Sequence, residues 1–494
     1  MLIFCFVVLL IIVLGELEFG FFSYEWNLNH LGFQVSILGL IFLLTVFMVS
    51  IMVHIFSSFY MSGSKILVEF NLWFNLFVLS MMSLLVGNSW WVLIFGWEIL
   101  GVTSFWLVAF YGRFLAHNGG ILTMMTNRIG DVAFICALMY FLHSGSLIAE
   151  LNFLIVIFIG LALVSKRAQF PFFRWLPAAI SAPTPISALV HRRTLVTAGF
   201  FLLTKFNWAY LVNSQFSYFF GVITLLLGSW AALLDSDFKK VVAFSTLSQL
   251  GLLIILFSSG SLMVVLFHLV SHAFFKRVLF MNVGGIIFYS FSNQSKMLFG
   301  SGLIINYIHV SWFYLRLMNL SALVFTTGFY SKESGLTRLL TEVRLFTLVL
   351  IVIIISLTTG YALRIAGMVR STSGVSLGVA GGRRFLLWGS LLSWVWLVVL
   401  GFVWGANFCV FDFGYVIFIM VMLMIGVLSY WIMRSGSRYL FYHLTRLLHY
   451  NLSFNWLRGF NQVTQLFWVP LYPLTWLSSA GWLALVLVLV VMFV

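Results

Sequence analysis

Charge is scarce in this chain: Asp, Glu, Lys and Arg make up 8% of its 494 residues, against about 25% in an ordinary soluble domain. With 63% hydrophobic residues and a mean hydropathy of +1.11, the chain cannot cover itself with a wetted surface, and a water-soluble fold is excluded. Acidic residues are rarest, 12 against 26 Lys and Arg, for a net charge of +14. In a soluble protein that excess would point to nucleic acid. Here the basic residues sit at the ends of apolar runs and in short loops, so they anchor and orient the chain in a membrane, with lipids and not nucleic acid as contacts. Cysteine is limited to Cys5, Cys136 and Cys409, with no C-x-x-C and no Cys/His spacing suited to a metal, so the three read as small apolar side chains. Met1–Leu14 shows neither a basic n-region with a cleavage site nor an Arg/Ser-rich transit peptide, and no removed leader is expected. The 55 Phe, 39 Gly and 19 Trp against 6 Pro favour T- and G-rich codons, as a skewed organellar genome would produce.

What fills the chain is apolar sequence. Runs such as Gln34–Val53, Trp90–Tyr111, Leu386–Val403 and Trp482–Val494 recur along its length, and at about 20 residues per crossing they predict roughly 14 transmembrane spans, all helical. No soluble domain interrupts them. Four of the six prolines, Pro171, Pro177, Pro183 and Pro185, fall in one short segment. Each removes a donor and disfavours helix before it, so a broken helix is predicted here, the feature that marks ion sites in transporters. A second candidate break is Thr326–Gly335, with glycines around Lys332; a surface loop is the alternative. Residues 434–469 mix Arg434, Arg438, His443, Arg446, His449 and Arg458 with Leu and Trp, and no acidic residue follows Asp412. That pattern predicts an amphipathic lateral helix, which at 1.5 Å per residue would reach roughly 50 Å; a partly disordered loop is the alternative. Residues 470–494 then form a terminal anchor behind a main membrane domain over 1–433.

A charge at the bilayer centre costs about 2.5–3.5 kcal/mol on insertion scales, so charges inside apolar runs are candidates for function. Glu98 lies near the middle of Trp90–Tyr111 and needs a partner or water. Arg128 and Asp131 are three apart, on one helix face, where a local ion pair is the plain alternative. Lys166 precedes the proline-broken segment, where a mobile acid partner could switch it between charged and neutral forms. His268, His272 and Lys276 are spaced by four and stack along one side of a helix; imidazoles there can relay protons. A metal or haem at His268/His272 is the alternative, with no second ligand pair in the sequence to complete it. His191 and Lys332 complete the set.

These residues also lie in recognisable runs: Phe95-Gly-Trp-Glu98, Asn127-Arg-Ile-Gly-Asp131, Lys166-Arg-Ala-Gln-Phe-Pro-Phe, Ala182-Pro-Thr-Pro-Ile-Ser-Ala-Leu-Val-His191, Ser248-Gln-Leu-Gly251, His268–Lys276 and Gly328-Phe-Tyr-Ser-Lys-Glu333. Together, and in this order, they resemble the antiporter-like subunits of respiratory complex I. The resemblance implies two inverted five-helix repeats with broken helices, and half-channels joined by a polar axis. It implies that Glu98 pairs with Lys166 with Asp131 nearby, that His191, His268, His272 and Lys276 form the axis, and that Lys332 is the proton exit. Lys at that last position, with the basic C-terminal helix, fits the subunit 5 branch. The implied function is proton translocation coupled to NADH:ubiquinone chemistry elsewhere, in the mitochondrial inner membrane, with no cofactor in this chain. FMN, iron–sulfur clusters and ubiquinone belong to other subunits, and the neighbours are membrane-arm subunits, the subunit 4 homologue above all. A cation/proton antiporter subunit of the Mrp type is the alternative. Arg167, Arg192 and Arg193 depart from the family pattern, and the stretch before Glu98 is short for it.

Overall fold

Water is absent from a bilayer core, so each spanning segment must satisfy its backbone internally, and the described apolar runs are accordingly helices. The computed structural model describes residues 37–370 except 62–66, 88–89, 113, 145–152, 182–183, 190–197, 203–213, 261, 290–293, 295–306, 324–325 and 342–344, together with 420–430 except 422 and 429. His191, the runs Leu386–Val403 and Trp482–Val494, the lateral helix at 434–469 and the anchor at 470–494 lie outside the described residues.

Four helices open the described chain: α1 (Ile37–Tyr60), α2 (Leu67–Val86), α3 (Trp90–Ala109) and α4 (Phe114–Ser144). After α5 (Phe153–Lys166) the regular helix stops, and the chain passes through a 3₁₀ turn at Phe172–Arg174, α6 (Trp175–Ala178), a second 3₁₀ turn at Ala179–Ser181, and α7 (Thr184–Leu189). There follow α8 (Ser214–Leu234), α9 (Phe238–Ser258), α10 (Leu262–Tyr289), α11 (Tyr307–Ser321), α12 (Thr327–Thr341) and α13 (Leu345–Arg370).

Among the described residues, eight helices are long and apolar enough to cross a membrane: α1 to α4, α8 to α10 and α13. The chain is a multi-pass membrane protein. Of the apolar windows in α9 and α10, 94% and 89% are buried against 39–56% in the other six, so α9 and α10 are the inner helices and the rest form the wall. Small residues set the closest approaches, as they do where helices pack without water. A Cβ at Gly251 would stand 2.6 Å from the Leu225 backbone nitrogen, so α8 and α9 touch backbone to backbone.

The proline-rich break forms where the composition predicts it. Ala168, just past α5, takes a positive φ of 54°, which turns the chain away from the helix axis. The indole of Trp175 donates to the Ser165 carbonyl at 3.0 Å, which otherwise receives only a long bond of 3.4 Å from the Ala168 amide at the helix end. The second break is displaced from its expected position. It falls at Ala322, φ 59°, and the Thr326 hydroxyl then accepts from the Phe329 amide at 3.3 Å to cap α12. Lys332 therefore lies inside α12, not in the break. Gly328 serves a crossing instead, for a Cβ there would stand 1.9 Å from the Asn319 carbonyl oxygen.

Candidate functional site

Asp131 projects from the middle of α4 and Lys166 is the last residue of α5, so the break puts an ammonium at a helix end facing a carboxylate. Lys166 Nζ lies 2.9 Å from Asp131 Oδ1, with the two residues 1% and 3% exposed. Gly130 permits this approach, because a Cβ there would fall 1.9 Å from Ser165 Oγ and force α4 and α5 apart. Gly101 of α3 leaves room on the third side, its missing Cβ lying 3.5 Å from Lys166 Nζ. The Trp97 ring, one turn earlier in α3, stands 4.7 Å from the same nitrogen and adds a cation–π contact.

Glu98 does not meet Lys166 directly. Arg128 stands between, its Nη1 3.7 Å from Asp131 Oδ2 and 3.9 Å from Glu98 Oε2. The side chains of Arg128 and Glu98 are each 40% exposed, on the outer face of α3 and α4. The four groups form a sequence of alternating charge, Glu98, Arg128, Asp131, Lys166, running from the outer face to the buried break. The expected local pair of Arg128 and Asp131 is one link of it.

A second polar stretch follows α10. The rings of His268 and His272 stack at 6.0 Å with 25° between planes, as their spacing on one helix face predicts. His268 Nδ1 lies 3.1 Å from Ser331 Oγ, and the Ser271 hydroxyl donates to the same oxygen at 3.0 Å. Lys276 Nζ donates to Ser245 Oγ at 2.6 Å, and Lys332 Nζ to Thr358 Oγ1 at 2.8 Å. In both cases the hydroxyl gives its own hydrogen to a carbonyl one turn back, Ser245 to Val242 and Thr358 to Ile355. Its lone pairs are thereby free for the ammonium. The Tyr361 ring lies 6.0 Å from Lys276 Nζ, and its hydroxyl accepts from Gln249 Nε2 at 2.7 Å and from the Ser248 hydroxyl at 3.3 Å. His268, His272, Lys276 and Lys332 are all buried. Among the described residues, no three His, Cys, Asp or Glu side chains gather into a group that could hold a metal.

The sequence offers Arg128 only as the local partner of Asp131 and gives no sign of its bridge to Glu98; Ser245, Ser331 and Thr358 as hydroxyl partners, and Tyr361 with Gln249, are site residues it does not single out. Tyr361 carried a usable signal, a phenol inside the apolar run of α13 that needs a partner when buried.

Residues 87–359 match the family described as NADH:quinone oxidoreductase/Mrp antiporter, transmembrane. Several relatives are named NADH-ubiquinone oxidoreductase chain 5. The Caenorhabditis elegans protein is 36% identical over 361 residues, covering 70% of this chain and 67% of its own length. That of Anopheles gambiae is 36% identical over 362 residues, with 69% and 62% covered. That of Anopheles arabiensis is 38% identical over 329 residues, with 63% and 85% covered. The chain thus spans about two thirds of the length of the first two. An Mrp complex from a Dietzia species shares the fold at a TM-score of 0.71 and 22% identity, over 94% of this chain and 57% of that one. The helices around the Lys166 break and the axis of α10 thus lie within the matched region, and the chain belongs to the NADH:quinone oxidoreductase/Mrp antiporter membrane family.

Proposed function

We propose that the chain is a proton-translocating membrane subunit of NADH:ubiquinone oxidoreductase, coupling quinone reduction in other subunits to proton transfer through its own buried groups. One observation carries this reading: a Lys166–Asp131 ion pair sealed into the break of a membrane helix and linked through Arg128 to Glu98 on the outer face. A structural ion pair has no need of such a link.

In this reading Arg128 is shared between two carboxylates. A proton arriving on Glu98 leaves Arg128 to Asp131 alone and draws that carboxylate off Lys166. The ammonium, stripped of its counter-charge in a dry site, gives its proton to the axis. His191, His268, His272 and Lys276 carry it on through imidazole and hydroxyl groups, each of which can donate and accept, and Lys332 is the last acceptor. The proton held on Glu98 then passes to the neutral Lys166 amine, and with Glu98 again a carboxylate and Lys166 again an ammonium, Asp131 returns and the pair is reset.

The names of relatives at 36–38% identity favour this subunit over a cation/proton antiporter, since the likeness to the Mrp complex is one of fold. The chain in this reading has about 14 spans in two inverted five-helix repeats, with a lateral helix at 434–469 and an anchor at 470–494. Its place is the mitochondrial inner membrane, beside a subunit 4 homologue and other membrane-arm subunits, which leave FMN, iron–sulfur clusters and ubiquinone to the rest of the complex. Mass spectrometry of the native assembly tests it. Co-purification with flavin- and iron–sulfur-bearing subunits is expected; an assembly holding antiporter-type membrane subunits alone would contradict it.

A further inference from the structure

Arg167 has no part in the proton steps above, yet it is 4% exposed and follows Lys166 directly in sequence. Its backbone amide still makes the helical bond to the Leu163 carbonyl, at 3.0 Å, and Ala168 behind it turns at φ 54°. It is therefore the last residue with a regular helical amide bond, after which the Ala168 and Gln169 amides turn back to the Ser165 and Val164 carbonyls at 3.4 and 3.1 Å. Lys166 reaches across to α4, whereas Arg167 reaches to a different element, the helical stretch at 198–202. Its Nη2 donates to the Gly199 carbonyl at 2.9 Å, and its guanidinium carbon lies 4.1 Å from the centre of the Phe200 ring. Gly199 makes room for this seat, since a Cβ there would stand 3.2 Å from both Cγ and Nε of Arg167. A planar, permanently charged group that stacks and donates at once is suited to a fixed strut and unsuited to passing a proton.

We propose that Arg167 is a positioning residue of the proton step, clamping the break after α5 onto Gly199 and Phe200 and so holding the Lys166 ammonium against Asp131. The inference rests on the proton-translocating reading. It assigns the clamp two requirements, a guanidinium at 167 and a bare Cα at 199. Losing a hydrogen bond from a charged donor changes the population of the held position by roughly tenfold or more.

The test is the number of protons pumped per electron by the assembled complex in proteoliposomes, read beside quinone reduction and the amount of complex on native gels. Lys166→Met sets the scale, being the loss expected when the pair is gone. Arg167→Met is expected to cut by roughly tenfold the pumping that depends on Lys166, and Gly199→Ala, whose methyl would stand 3.2 Å from Arg167 Cγ and Nε while the carbonyl acceptor stays, to lower it by less, both in complex that assembles and still reduces quinone. Arg167→Lys keeps a donor for the Gly199 carbonyl but loses the planar stack on Phe200, and is expected to recover part of it. The double variant Arg167→Met/Gly199→Ala is expected to be no worse than Arg167→Met alone, because the added methyl then has space. A purely structural role would lower the amount of complex and leave the ratio per electron intact in what assembles; that result, or failure of both Arg167→Met and Gly199→Ala to assemble, overturns the proposal. A lowered ratio in Lys166→Met beside normal ratios in Arg167→Met and Gly199→Ala also overturns it, leaving the proton-translocating reading in place. A normal ratio in Lys166→Met overturns both.

Discussion

Replacing Asp131 by Ala removes the carboxylate that stands 2.9 Å from the Lys166 ammonium, in a site where both residues are almost fully buried. Among the described residues Asp131 is the one acid within ion-pair distance of Lys166, because Glu98 reaches only Arg128. Breaking a buried pair on one side costs about 3–5 kcal/mol, since the remaining charge stays desolvated and unpaired. That is roughly two to four decades in an equilibrium constant, enough to empty the native arrangement around the break. Asp131→Ala is therefore expected to reduce the assembled complex on native gels and to lose pumping. Converting the pair to apolar groups removes the orphaned charge, and such exchanges are often neutral for stability. Asp131→Ala combined with Lys166→Met is thus expected to recover assembly while pumping stays lost. If Asp131→Ala assembles and pumps normally, or if the double variant assembles no better than the single one, the pair does not carry the energy assigned to it.

Gly130→Ala would place a methyl 1.9 Å from Ser165 Oγ, and overpacking of this kind costs about 1–3 kcal/mol. Pumping is expected to fall because α4 and α5 separate at the Asp131–Lys166 contact, and adding Ser165→Gly should restore it; a normal Gly130→Ala complex would contradict the crossing. At Lys332, Glu is expected to preserve more pumping than Arg, because a carboxyl can exchange a proton and guanidinium cannot near neutral pH. Arg matching the parent with Glu inactive would make Lys332 a fixed charge. Tyr361→Phe removes the hydroxyl that the buried Gln249 amide donates to at 2.7 Å, and an orphaned donor costs about 1–3 kcal/mol. A lower melting temperature of the purified complex is expected, and an unchanged one would place water or another acceptor at Gln249.

The sequence revealed some parts of this arrangement more readily than others, for physical reasons. The break after Lys166 was readable because proline acts locally, through its missing donor and the clash it imposes on the residue before it. The stacked imidazoles of His268 and His272 followed from helical spacing alone. The partner of Lys166 did not, because pairing between helices depends on how α4 and α5 cross, which the Gly130–Ser165 contact sets. Seen from spacing, Glu98 and Asp131 were equally available acids; in the fold Asp131 faces α5 and Glu98 stops at Arg128. The hydroxyl partners were hidden for another reason. Most serines and threonines in these helices bond a carbonyl of their own preceding turn, as Ser50, Ser80 and Thr123 do. Ser245 and Thr358 do so too, and only the neighbouring helix decides which of them also receives an ammonium. The glycines around Lys332 misled for the same reason: Gly328 and Gly335 serve tight helix crossings, a need that resembles a break when only one helix is in view.

The most direct measurement of the central claim is the proton-to-electron ratio of the intact complex in sealed proteoliposomes, with Lys166 replaced by Met and quinone reduction recorded in the same vesicles. Met keeps the length of the buried stem and removes only the group that can carry a proton. The account predicts fewer protons moved per electron in complex that still assembles, since Asp131 keeps the Arg128 guanidinium at 3.7 Å when Lys166 is gone, and that still oxidises NADH. An unchanged ratio would contradict it, showing that the ion pair in the broken helix is structural and that protons cross elsewhere.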